Sequence, residues 1–124
     1  MTRLLVGDPV IDLRIFEQLA GELASPEAAR RIVALYLELL DGRIGRLVGA
    51  CVAGDESTAM DAVLSLKVSS AMVGAVAMRD LAAQVEECLL VGGCVAARGA
   101  LQCVRRRGFD TAKALATVVP PRPS

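Results

Sequence analysis

At 124 residues the chain has room for one hydrophobic core and no second domain. Apolar residues make up 54% of it and aromatics only 2%, a composition for helices packed through Ala, Leu and Val rather than for a sheet. Basic and acidic residues balance at 14 each, so no net field draws in nucleic acid or an anionic membrane, and neither is expected as a partner.

The chain has no histidine, and its four cysteines, Cys51, Cys88, Cys94 and Cys103, contain no CxxC pair. No metal site and no cofactor are expected, and the thiols read as small hydrophobes within apolar helical segments. The opening stretch Met1–Pro9 has too short an apolar part for a signal peptide. Residues 62–78 form the most apolar run, but it falls short of the ~20 residues of a membrane span and holds Lys67 near its middle. A soluble, reduced, cytoplasmic protein is the expectation.

In chain order, Asp8-Pro9 reads as a helix start, with a capping carboxylate followed by proline at the first helical position. The helix from about residue 9 to 23 would place Val10 or Ile11, Leu13 or Arg14, Phe16, Leu19, Ala20 and Leu23 on one side. Ser25-Pro26-Glu27 repeats the start signal. A second helix is expected over 26–53, with Ile32, Leu35, Tyr36, Leu39, Leu40, Leu47, Val48 and Cys51 as its stripe. Gly42 and Gly45 soften its middle without breaking it. Gly54 closes this helix and Asp55 caps the next, expected over Glu56 to Val73 or Gly74.

After a turn at Gly74-Ala75, a fourth helix is expected over 76–90, with Met78, Leu81, Ala82, Val85, Cys88 and Leu89 inward. Gly92-Gly93 reads as a loop. A last helix over 94–118 carries Val95, Leu101, Val104, Phe109, Ala112 and Leu115, and Pro120–Ser124 forms an extended tail. Arg105-Arg106-Arg107 spreads over about 200° of a helix, so it reads as a solvated face. Glu86-Glu87 and Asp55-Glu56 read as solvated positions and caps.

The organising stretch is residues 63–75. Val63, Leu66, Ser70, Val73 and Gly74 make one helix face; Leu64, Lys67, Val68 and Ala71 make another at i, i+3, i+4, i+7. If the first set faces the core, the second must face out.

Leu64-Ser65-Leu66-Lys67-Val68-Ser69-Ser70, followed by Ala71-Met72-Val73-Gly74-Ala75, resembles the phosphotransfer helix of the histidine phosphotransfer (HPt) family, His-x-Leu-Lys-Gly-Ser-Ser/Ala. Ser25-Pro26-Glu27, Ala53-Gly54-Asp55, Leu81-Ala82-Ala83-Gln84-Val85-Glu86 and Phe109 are similar to further pieces of that pattern, which together span residues 9 to 116. The family's phosphorylated histidine stands here as Leu64 and its glycine as Val68, while the lysine is kept as Lys67. In the family the histidine takes phosphate from a receiver aspartate, the lysine neutralises the phosphate, and the glycine clears space for the receiver backbone. A chain with no histidine cannot form phosphohistidine.

The resemblance implies an all-α fold: an up-down four-helix bundle of HPt type with an additional N-terminal helix, helical over 9–118 with 119–124 as tail. It implies a non-enzymatic binding module that docks a response-regulator receiver domain or a histidine kinase through Leu64, Lys67, Val68 and Ala71, with Arg43 and Arg46 at the rim. No nucleophile-base-orienter set takes the histidine's place; Ser69 and Ser70 are expected to pack or bond to the preceding turn. The alternative is a structural bundle that forms a homodimer, with Gly42, Gly45 and Gly49 allowing close helix approach.

Overall fold

Side-chain caps and left-handed glycines divide residues 10–119, the part described by the computed structural model, into helices without strands. These are Leu13–Glu22 (α1), Pro26–Ala53 (α2), Glu56–Val73 (α3), Val76–Ala97 (α4) and Leu101–Leu115 (α5), with a 3₁₀ turn, Arg98–Ala100, before α5. The residues of the Asp8-Pro9 start and of the Pro120–Ser124 tail lie outside the described part.

Among the described residues α1 starts later than expected, with Asp12 as its N-cap, accepting from Arg14 N–H at 3.0 Å. Leu13 and Leu23, expected on its apolar side, are 53% and 40% exposed. Residues 10–12 are held out of the helix by a distant turn: Asp12 N–H donates to Gly74 O at 2.8 Å and Ala77 N–H to Val10 O at 3.2 Å. The Arg14 guanidinium on the Asp12 carboxylate holds that carboxyl below its ordinary range.

α2 starts at Ser25, whose hydroxyl accepts from Ala28 N–H at 3.0 Å. It then runs 28 residues, about 42 Å, through Gly42 and Gly45 without a break. Gly54, at φ +75, ends it in the left-handed conformation that glycine adopts without steric cost. Two residues of the expected stripe are corrected: Leu35 and Leu39 are 54% and 42% exposed. The core line is Val33, Tyr36, Leu40, Ile44 and Leu47, and the two leucines each stand one position before a residue of it.

The expected Gly92-Gly93 loop is instead a one-residue reversal. Gly92 stays helical, and Gly93 alone leaves the helix at φ +69, ψ −162. Both Glu56 carboxylate oxygens accept from Cys94 N–H, at 3.1 and 3.0 Å, and so cap the helical segment that starts there. Glu56 is therefore a partner of the bend and not a purely solvated residue. Beyond it, Arg98 donates to Cys51 O at 3.0 Å and Gly108 lies against Ile44 and Met78, so the chain has turned back along α2 and α4. Val76–Leu115 is long and apolar enough to cross a bilayer by length and composition, yet Gly93 folds it into two halves that pack on one another.

Phe109 and Val95, expected inward, are 68% and 72% exposed. The inward line of α5 is Leu101, Val104, Gly108, Thr111 and Leu115. Gly108 stands on that line because Ile44 of α2 lies against it and leaves no room for a Cβ. Leu40, Leu47, Leu66, Met78 and Leu115 are the largest fully buried side chains; burying each contributes about 1.5–3 kcal/mol.

Candidate functional site

The helix carrying the candidate residues is fixed at both ends and in rotation. Asp55 caps α3 by accepting from Thr58 N–H at 3.1 Å, which also holds the Asp55 carboxyl below its ordinary range. Gly74, at φ +80, closes it, with Ala75 N–H returning to Ser70 O at 2.8 Å. Rotation follows from burial: Val63, Leu66, Ser70, Val73 and Gly74 all face the core. The Ser70 hydroxyl meets the Tyr36 hydroxyl at 2.7 Å inside that core, and Ser69 bonds back to Ser65 O at 2.8 Å.

The other face is therefore outward. Leu64 is 37% exposed and Val68 59%; Met72, 50% exposed, continues the line one turn on, with Ala71 half-buried beside it. These residues form an apolar strip about 12 Å long on one helix. Scattered single apolar residues on a surface need no explanation, but three in successive turns of one helix make a continuous contact surface.

Lys67 flanks the strip and is not free. Its ammonium donates to Glu86 Oε1 on α4 at 2.6 Å, with both side chains largely covered. Glu86 is thus corrected from a solvated position to the carboxylate that neutralises Lys67. The pair ties α3 to α4.

On the opposite flank Arg46 pairs with Asp61 at 2.8 Å, one turn before Leu64. Arg43 is half-buried; burial pushes the Tyr36 pKa up, opposed by the Ser70 hydrogen bond and, less, by the charge of Arg43. The structure thus brings together Leu64, Val68 and Ala71, places Lys67 and Arg46 on the two flanks, and leaves Arg43 outside the surface.

Sequence reasoning missed Met72 and Glu86. Met72 was legible as the next i+4 step after Val68. Glu86 was not, because it reaches Lys67 only through the packing of α4 against α3. Ser65 is exposed beside the strip.

A cleft of about 690 Å³ lies elsewhere, between the start of α4 and α5, lined in part by Arg79, Asp80, Cys103, Arg106, Arg107 and Asp110. Arg79 pairs with Asp80 at 2.9 Å and Arg107 with Asp110 at 3.6 Å. Two of its three guanidiniums are matched internally. The thiol at Cys103 is exposed, a correction to its expected place in an apolar face; Cys51 and Cys94 are buried and Cys88 is half-buried.

Comparison with known family models, with curated proteins and with solved structures returned no match.

Proposed function

We propose that the chain is a pseudo-HPt binding module: a helical bundle of HPt type, with α1 as the additional N-terminal helix, that docks a response-regulator receiver domain or a histidine kinase without transferring phosphate. The observation that carries this reading is the rotation of α3, which buries Val63, Leu66, Ser70 and Val73 and leaves Leu64, Val68 and Met72 as one exposed line. That line occupies the face on which the resemblance puts the phosphate acceptor. Where a phosphotransfer protein needs an imidazole and a free cation, this chain offers a leucine and a lysine already neutralised by Glu86. A surface of that kind suits apolar docking, and the cation on its other flank, Arg46, is likewise paired, with Asp61. Receiver domains and kinase cores work in the cytoplasm, so the reading places the chain there.

The test is calorimetric titration of the purified chain against purified receiver domains and kinase phosphoacceptor domains from the same source. Binding is expected with the unaltered chain, and Leu64→Asp or Val68→Asp should weaken it by about tenfold or more, as truncating a central contact does, with the helical circular dichroism unchanged. Labelled phosphodonor should leave no label on the chain. Failure of the unaltered chain to bind any member of the panel sinks the proposal.

A further inference from the structure

Helix α2 carries a second uncovered face, on another element than the α3 strip and sharing with it only Arg46. Opposite its core line run Leu35, Glu38, Leu39, Gly42, Gly45, Arg46 and Gly49, all exposed. A methyl group added at Gly42, Gly45 or Gly49 would meet nothing within 4 Å, so packing within one copy gives no reason for glycine there. Glycine is among the least favourable interior residues of a helix, yet three of them share this face with two exposed leucines. Glu38 has no ion-pair partner among the described residues.

These side chains complement a second copy of themselves. Laying two α2 helices antiparallel about a twofold axis at Gly42 brings each residue level with the one equally far on the other side of residue 42. Leu39 then comes level with Gly45, Leu35 with Gly49, Gly42 with its own copy, and Glu38 with Arg46. Both exposed leucines meet positions that lack a side chain, and the charges near the seam meet opposite charges, twice over by symmetry. Moving the axis by one residue destroys this match. At residue 41, Leu39 comes level with Arg43 and Arg46 with the buried Tyr36; at residue 43, Leu39 and Arg46 come level with the buried Leu47 and Leu40. Arg46 already holds Asp61 at 2.8 Å across an exposed pair, and a guanidinium has donors enough to hold Glu38 of a second copy as well.

We propose that two copies of this chain pair antiparallel along α2 with Gly42 at the twofold axis. The glycines let the helices approach closely, the leucines fill the space above them, and Glu38 and Arg46 fix register and direction. The seam from Leu35 to Gly49 is about 21 Å long.

Light scattering over a concentration series should show a monomer-dimer equilibrium. Glu38→Arg and Arg46→Glu should each weaken it by about tenfold, because each places like charges together twice. An equimolar mixture of the two variants should associate about as well as the unaltered chain, since the heterodimer restores both pairs; a merely misfolded variant would not be rescued. In a Cys103→Ser background, Gly42→Cys should form a disulfide-linked dimer under mild oxidation, and Ser57→Cys on α3 should not. A chain still monomeric at about 1 mM, charge variants that associate normally or fail to rescue each other, or cross-linking through Ser57→Cys in preference to Gly42→Cys overturns the proposal. Leu64→Asp should leave the dimer intact, which separates this proposal from docking through α3.

Discussion

The hydroxyls of Tyr36 and Ser70 meet at 2.7 Å with both residues buried, joining the middle of α2 to the last turns of α3. Because each is the other's partner in the core, the contact holds α3 in the rotation that turns Leu64 and Val68 outward. Removing either hydroxyl alone leaves a buried polar group unpaired, which costs about 1–3 kcal/mol. Tyr36→Phe and Ser70→Ala should therefore each lower stability by about that much in urea denaturation, and the double variant should lose less than the sum. Strict additivity would mean that the hydroxyls are satisfied independently.

The reversal at Gly93 depends on Glu56. A Cβ at residue 93 would come within 2.7 Å of a Glu56 carboxylate oxygen, and the backbone there, at φ +69 and ψ −162, is one that residues with side chains rarely adopt. Gly93→Ala should cost about 1–3 kcal/mol from backbone strain. Glu56→Ala removes the clash but leaves Cys94 N–H without its cap, at about 1 kcal/mol. In thermal melts Gly93→Ala should be the more damaging change, and adding Glu56→Ala to it should cost less than Glu56→Ala alone. Equal, additive losses would separate the bend from its cap.

Thiol chemistry should divide the four cysteines. Cys103 is exposed and Cys88 half-buried, whereas Cys51 and Cys94 are fully buried. Burial, reinforced by Cys94, pushes the Cys51 thiol from 9.0 up to about 11, and burial followed by Glu56 pushes Cys94 up. A raised folded-state pKa means that folding favours the protonated thiol, so this stabilisation is complete below the unfolded value and is lost as pH rises through the folded one. At about pH 8 a thiol reagent should modify Cys103 fast, Cys88 more slowly, and Cys51 and Cys94 only as the chain opens. Stability should fall between 9.0 and about 11, less steeply in Cys51→Ala. Four equal reaction rates would contradict this burial pattern.

What the sequence made legible was local. Ser25 and Asp55 are caps, and Gly54 and Gly74 are left-handed stops, because each acts on backbone within five residues of itself. The rotation of α3 could also be read, since the spacing of Val63, Leu66, Ser70 and Val73 is a property of one helix. The errors arise where a distant residue decides. Asp12 starts α1 because of the turn at Gly74, and Gly93 suffices as a reversal because Glu56, far earlier in the chain, supplies the cap. Leu35, Leu39 and Phe109 look like core residues by size but face out, since the inward positions beside them are set by the helices packed opposite.

Gly108 and Ile44 give the sharpest case of that last kind. Gly108 is buried in α5, and a Cβ there would collide with the Cδ1 methyl of Ile44. Alanine is preferred to glycine in a helix interior by about 1 kcal/mol, but forcing Ile44 aside in a packed core costs about 1–3 kcal/mol. Gly108→Ala should therefore be neutral to destabilising, with no net gain from its better helix propensity. Ile44→Val removes the colliding methyl and by itself should cost about 0.5–1.5 kcal/mol through the small void it leaves. In the double variant the new methyl at residue 108 occupies that void and the helix keeps the alanine's advantage. A denaturation cycle should accordingly find the pair more stable than the two single changes summed, by about 1 kcal/mol or more. Additive effects would mean that Ile44 yields freely, and that Gly108 is not required by the packing of α2 against α5.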